Sequence, residues 1–505
     1  MSRSGRNDRT EGRRVTSTGG AFLTVGASEG IGQGASLIRA WFVANLVGPD
    51  QMGIAFTMLL FGEFLNRLTN LNPGITLVQD PAGGSGRFRH TLQAIMLLRG
   101  ILFGALIALL AWPLSIYFEQ EENLLGFVAV GLFPLLGGFI HVDIYKELRK
   151  RNYVPTALVH SIPSVVSLAA TFGLCLVFQN FWLPIAARIV SSVTSILVSF
   201  GVARRRFALC FDKRHAISII KFMLPLAGAG ILVFFSNSGP KLFLASAPTN
   251  FGSITADQAM VMVGVFGVAM MLCVLPSSIG SRIISQTWSP HMARMRDDPN
   301  GFRRMFKEMQ TVSYMLAAAT IILLGAGDSW GNLLFPEKFE GIGGVVSVLS
   351  IYGGLRLGRV AMRAAALSTG RSGIIFWCNL ASLVGLAGTL VAIIYADSLR
   401  VDGTSILLEV IAGSLILGEI SSLVVGNILL DRGPLALGVR DLWLKPLAFC
   451  AAAVVTAAIE RALVGGLPLW LGAAISVLVT AGMIVLMFVT NSNVRDFVTG
   501  KSRAG

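Results

Sequence analysis

GPDQMGIAFTMLLFGEF (residues 48–64) decides how the rest of the chain is read, because its pattern returns as TADQAMVMVGVFGVAMM at residues 255–271. Each copy opens on a turn carrying an Asp-Gln pair, Asp50-Gln51 and Asp257-Gln258, and runs straight into an apolar helix-length segment, 207 residues apart. The basic stretches that follow echo each other too: Gly86-Arg87-Phe88-Arg89 against Gly301-Phe302-Arg303-Arg304, offset by 215. A repeat of this length in an apolar chain predicts two stacked lobes with a path between them, the layout of a transporter.

Around the two copies the chain is far too apolar for water. Of 505 residues, 54% are hydrophobic and 13% charged, about half the ~25% charged share of soluble domains. Apolar runs of bilayer-spanning length predict fourteen membrane helices, near 20–47, 52–76, 92–117, 123–141, 154–178, 182–203, 218–246, 259–285, 311–328, 342–366, 373–396, 405–430, 443–462 and 467–490. The expected fold class is an all-α polytopic membrane protein with two six-helix lobes and two further C-terminal helices. In residues, this gives a disordered cytoplasmic tail (1–18), an N-lobe of spans 1–6 (19–203), a basic cytoplasmic linker (204–217), a C-lobe of spans 7–12 (218–430), spans 13 and 14 (431–490) and a cytoplasmic tail (491–505).

Loop charges test that count independently. With the N-terminus in the cytoplasm, 28 Lys and Arg fall in inside segments and three, Lys338, Arg400 and Arg461, in outside loops. Asymmetry at every alternate loop is the positive-inside rule, and one missed helix would invert it downstream. The net charge of +14 is therefore mostly topological, which removes the nucleic-acid partner that so basic a chain would otherwise imply.

Most motifs dissolve in this context. TVGASEGIG (24–32) has the letters of a dinucleotide-binding turn and, around Ser28, of a G-x-S-x-G nucleophile elbow, but both need strand–helix alternation. Gly26, Gly30 and Gly34 recur every four residues, so the better expectation is a small-residue face for helix packing. The five Cys and five His residues are dispersed, with no C-x-x-C pair, and predict neither a disulfide framework nor a metal site. No cofactor is expected.

Ionisable residues inside spans carry more information, since each costs about 2.5–3.5 kcal/mol at a helix centre. Ten cations lie within or at the edges of spans: Arg39, Arg67, Arg99, Arg188, Lys221, Lys241, Arg282, Arg356, Arg359 and Arg363. Lys221 and Arg282 sit near cytoplasmic ends and are expected to snorkel. Arg356, Arg359 and Arg363 occupy i, i+3 and i+7 and so share a face of span 10, expected to line a watery cavity. The acids are fewer: Glu29, Glu63, Glu409 and Glu419, of which Glu63 can pair with Arg67 at i+4. A cationic interior points to an anionic substrate, and guanidinium forks suit phosphate oxygens. The alternative is that the stripe holds lipid headgroups.

LVGPDQMGIAFTMLLFGEFLNRLTNLNPGITLVQ (46–79) resembles the first outer turn and second helix of polysaccharide-biosynthesis flippases, in the multidrug/oligosaccharidyl-lipid/polysaccharide exporter superfamily. KFMLPLAGAGILVFF (221–235) and LLFPEKFEGIGGVVSVLSIYGGL (333–355) resemble the family's openings of helices 7 and 10. Asn45 stands where an Arg often precedes the outer turn, and Met52 replaces its aromatic. The resemblance implies two six-helix lobes around a cationic cavity and alternating access, with a polyprenyl-pyrophosphate-linked oligosaccharide as substrate. It further implies a bacterial inner-membrane location, a lipid-tail groove at helices 13 and 14, a mobile helix 1, and membrane lipids, a polysaccharide polymerase and export machinery as partners. The pyrophosphate-clamp candidates are then Arg356, Arg359, Arg363, Arg39, Arg67 and Arg99. Glu29 and Glu63 are candidates for proton or sodium coupling. Two rival functions are weighed. A cation-coupled multidrug exporter of the same superfamily would need acids in its cavity. A membrane-embedded glycan polymerase or ligase commonly has a large outer loop, whereas the outer loops near 247–258 and 329–341 are short.

Overall fold

The computed structural model describes residues 18–490, except 69–72, 150–151, 153, 252–253, 296–297, 336–337, 372, 397–403 and all but isolated positions between 432 and 467. The expected terminal tails and span 13 fall outside the described residues. The first half comprises α1 (Thr18–Val47), α2 (Pro49–Leu68), α3 (Pro73–Gln79), α4 (Gly86–Tyr117), α5 (Leu124–Val130), α6 (Leu132–Gly138), α7 (Asp143–Arg149), α8 (Val154–Leu174) and α9 (Trp182–Val202). The second comprises α10 (Lys213–Ala245), α11 (Ala247–Phe251), α12 (Ala256–Arg294), α13 (Pro299–Gly325), α14 (Gly327–Leu334), α15 (Ile342–Gly358), α16 (Val360–Ser368), α17 (Gly373–Ala381), α18 (Leu383–Ile394) and α19 (Thr404–Asp431), followed by α20 (Leu469–Thr490). Every long element among the described residues is helical, as a chain crossing lipid requires if its backbone groups are to be satisfied internally.

Among the described residues, eight segments are long and apolar enough to cross a membrane by length and composition. α2 is not among them, because Asp50, Gln51, Glu63, Asn66 and Arg67 dilute its apolar run. Burial separates lipid-facing helices from the core. In the most apolar window of α9, 17% of residues are buried, against 78% in the window spanning α15 and α16. The outer helices expose large side chains such as Leu109, Trp112 and Leu197, which only a hydrocarbon surrounding makes tolerable.

Local chemistry sets the boundaries. Gly48 takes φ +88° between α1 and α2, a left-handed turn that a side chain would strain, and Pro49 opens α2 with its fixed φ. Ser85 caps α4 by accepting the Phe88 N–H at 3.1 Å. Asp212 caps α10, accepting from the N–H groups of Arg214 and His215 at 2.9 and 3.2 Å. The His215 N–H, more than any other partner, holds the Asp212 carboxyl below its ordinary range.

The repeat appears as packing. α2 and α12 begin 207 residues apart, at Pro49 and Ala256, and lie against each other. A methyl group on Gly53 would overlap the Met260 carbonyl, and one on Gly264 would overlap that of Pro49. Gly53 and Met260 are equivalent positions of the two copies, so the lobes meet along their related helices.

Two expectations are corrected. Span 4 is not one helix over 123–141 but two short ones broken at Gly131, whose Cα side abuts the Gly104 carbonyl of α4, and spans 10 and 11 are likewise divided, at Arg359 and Ser382. The small-residue face of α1 is also different: Gly26 lies outside the described side chains, Gly30 and Gly34 face open space, and Gly32 packs on α8, against His160 and Ser161.

Hydrogen bonds tie the lobes at the end where α1 meets α2. Trp41 Nε1 and Asn45 Nδ2 donate to the Leu334 carbonyl at 2.7 and 3.0 Å. Lys338 Nζ donates to the carbonyls of Asn45 and Leu46 at 3.3 and 3.4 Å. Nearby, Thr249 Oγ1 and Asn250 Nδ2 donate to the carbonyl and hydroxyl of Tyr117 at 2.6 and 2.7 Å. At the opposite end, apolar side chains form two separate clusters, one around Phe88 and one around Phe302.

Candidate functional site

Three polar side chains occupy the last turns of α2. Glu63 Oε1 lies 3.5 Å from Arg67 Nη2, the i, i+4 pairing that the spacing predicts, with both side chains more than a third exposed. Asn66 accepts from Arg99 of α4 at its Oδ1 (2.7 Å) and its carbonyl (3.3 Å). Arg39 of α1 donates to Ser167 Oγ of α8, and the Ser167 hydroxyl in turn donates to the Ala187 carbonyl at 2.7 Å. The neighbouring Arg188 of α9 is exposed, and its charge interacts with Arg39 and with Glu63. An exposed guanidinium within a span is costly against lipid.

α10 crosses between this group and the C-lobe. Its polar run SNSGPK (236–241) interrupts an otherwise apolar helix. Ser238 Oγ donates to Glu63 Oε2 at 3.0 Å, while Asn237 Oδ1 accepts from Arg356 Nη1 of α15. Arg356 also donates to the Tyr352 hydroxyl at 2.9 Å, its guanidinium 5.6 Å from the ring centre. Lys241 Nζ stands 5.4 Å from the centre of the Phe56 ring and interacts with Glu63. Adjacent residues of one helix thus hold an N-lobe carboxylate and a C-lobe guanidinium.

The expected stripe of three arginines is distributed over three environments. Arg356 is half-buried beside α10, and Arg363 is exposed. Arg359 points into the C-lobe, where Nε lies 3.2 Å from Glu419 Oε2 with the side chains 9% and 3% exposed and Nη1 donates to Ser422 Oγ. Glu29 falls in α1, where its side chain is outside the described set. Asn237 and Ser238 were not singled out from the sequence, although a polar run in the middle of span 7 was the available signal. Among the described residues no group of three His, Cys, Asp or Glu could hold a metal ion.

A cavity of about 680 Å³ opens at the α1–α2 end, lined by Asp50, Asp257, Glu119, Glu121 and Glu122 among others. Asp50 and Asp257 are equivalent residues of the repeat. Its carboxylates repel anions, so it is no binding place for a phosphate.

Helical lobes joined along related helices, with charged groups where they meet, define the class: a two-lobed, all-helical membrane-protein fold. The chain belongs to the polysaccharide biosynthesis protein family, whose model matches residues 42–330. It is 19% identical over 305 residues to the amylovoran biosynthesis protein AmsL of Erwinia amylovora, covering 59% of this chain and 75% of that one. Among solved structures, the lipid II flippase MurJ in an inward closed conformation superposes with a TM-score of 0.69 at 12% identity, over 94% of this chain and all of that one. A multidrug resistance transporter of the MATE family in its inward-facing conformation gives 0.57 at 13% identity, over 86% of this chain and 98% of that one.

Proposed function

We propose that the protein moves a polyprenyl-pyrophosphate-linked oligosaccharide across a bacterial inner membrane by alternating access, with fourteen spans and both termini in the cytoplasm. The carrying observation is that Glu63 of α2 stands 3.5 Å from Arg67 and interacts electrostatically with Arg188 of α9 and Lys241 of α10, so that cations from three helices share one carboxylate. Such a surplus suits a pyrophosphate, whose oxygens accept charge-assisted bonds from guanidinium and ammonium groups. The hydrogen-bonded outer end and the separate clusters at the other end support an inward-facing state, open to the leaflet where such a substrate is made.

In this reading Arg356, held on α10, joins the clamp, and Arg363 extends it towards the cytoplasm. Gradient coupling, by proton or sodium, falls to Glu29 or Glu63, and a polysaccharide polymerase receives the product. No step breaks a covalent bond, so the protein acts as a carrier rather than an enzyme. The test is flipping of a fluorescent polyprenyl-pyrophosphate oligosaccharide in proteoliposomes. Arg188→Glu and Arg356→Glu should each reduce it at least tenfold while the protein still inserts, and unimpaired flipping by both variants would overturn the clamp. The multidrug-exporter reading, consistent with the MATE superposition, is separated by a strain lacking the protein: lost polysaccharide with unaltered drug sensitivity supports the flippase.

A further inference from the structure

Glu63 and Glu419 each sit beside a cation within the helix bundle, and they are held very differently. Glu419 is locked: buried to 3% exposure beside an equally sequestered Arg359. Glu63 is held loosely. Its side chain is 35% exposed, its nearest guanidinium stands at 3.5 Å, long for a charge-assisted bond, and its remaining oxygen accepts one hydroxyl, that of Ser238, at 3.0 Å. Yet it is the acid whose charge acts on both Arg188 and Lys241, from α9 and α10.

We propose that Glu63 is an internal stand-in for the substrate's phosphate, a counter-anion that an incoming pyrophosphate displaces from Arg67, Arg188 and Lys241. The inference rests on the anionic-substrate reading above and adds a role for the acid within it. In the empty cavity a carboxylate lowers the cost of keeping three cations at membrane depth. A pyrophosphate brings more oxygens and more charge than one carboxylate and can engage guanidinium forks in a bidentate way. Once it binds, Glu63 faces a like charge and turns away, at a free-energy cost that weakens the net affinity. A weakened grip is what a carrier requires, because a substrate held too tightly is not released on the far side. The return of Glu63 to its cations then accompanies release. Ser238 is the positioning residue: its hydroxyl keeps the carboxylate within reach of the cations.

The probe is inorganic pyrophosphate, titrated calorimetrically into the full-length protein in detergent. Glu63→Gln keeps the shape and the Ser238 contact but removes the charge, and should tighten pyrophosphate binding about tenfold, or roughly 1.4 kcal/mol. Ser238→Ala should tighten it by a smaller factor, while Glu122→Gln, in the cavity at the α1–α2 end, should leave it unaltered. Flipping by Glu63→Gln in proteoliposomes should slow despite the tighter binding, a split that simple loss of structure would not produce. Unchanged or weaker binding by Glu63→Gln, at an unaltered melting temperature, overturns the inference while the clamp stands. Absence of pyrophosphate binding in wild type and variant alike overturns both the inference and the anionic-substrate reading beneath it.

Discussion

At the scale of single residues, identical side chains acquire different work from their surroundings. Arg356, Arg359 and Arg363 have the spacing of one helical face, yet the helix is interrupted at Arg359, which alone of the three is buried. What periodicity cannot show is that Glu419, sixty positions later on α19, waits opposite it. Arg89 is the converse case. Counted from sequence as a topological loop charge, it lies buried 3.1 Å from Asp143 Oδ1, with side chains 7% and 6% exposed, and the second Asp143 oxygen accepts the Arg204 N–H at 3.2 Å. The Glu63–Arg67 pair was legible because its partners are four residues apart, whereas pairs closed by tertiary packing were not. A buried pair of this kind is costly to break from one side only. Glu419→Ala should destabilise the protein by about 3–5 kcal/mol by leaving a buried guanidinium uncompensated. Replacing both partners, Arg359→Met with Glu419→Leu, should recover most of that loss. Thermal unfolding in detergent decides it: a double variant no more stable than the single one would mean that Glu419 does not compensate Arg359.

At the scale of elements, sequence letters and structure agree most closely at the repeat. The offset of 207 residues read from two short segments is the offset between the first residues of α2 and α12. Helix interruptions were less visible, because hydropathy registers composition and not contact. The Gly131 break follows from a backbone meeting backbone across α4, and the misplaced glycine face of α1 from a period of four that several faces satisfy. Close approach of α2 and α12 carries a prediction of its own. Gly53→Val would drive two methyl groups into the Met260 carbonyl, and overpacking of this kind costs about 1–3 kcal/mol. The strain is relieved if the lobes part, so the variant should favour the state in which this end is open. A fluorescence-transfer pair across the lobes should report a greater separation at the α1–α2 end in Gly53→Val than in wild type, and an unaltered distance with unaltered stability would show that the helices tolerate the bulk.

At the scale of the whole molecule, the two ends of the bundle are held differently, and the α1–α2 end is closed by hydrogen bonds from side chains to opposing backbone. Trp41, Asn45 and Lys338 reach across from one lobe to carbonyls of the other in four bonds of 2.7 to 3.4 Å. These are exposed or half-exposed groups, so each contributes near the low end of the usual ~0.5–1.5 kcal/mol, about 2 kcal/mol together. That figure is small against folding but large against a conformational equilibrium: it amounts to a shift of roughly 30-fold in the ratio of closed to open outer ends. A clasp of this strength holds the resting state and still yields to the binding energy of a substrate. Met260, 2% exposed between α2 and α12, offers a reporter. In a background with the native cysteines replaced by serine, Met260→Cys should react slowly with a membrane-impermeant maleimide applied from outside. Adding Trp41→Phe, Asn45→Ala and Lys338→Ala together should raise the rate by tenfold or more without lowering the melting temperature in proportion. Reaction from the cytoplasmic face instead would invert the orientation derived from the loop charges, and an unchanged rate would mean that the closed end rests on the α2–α12 contact alone.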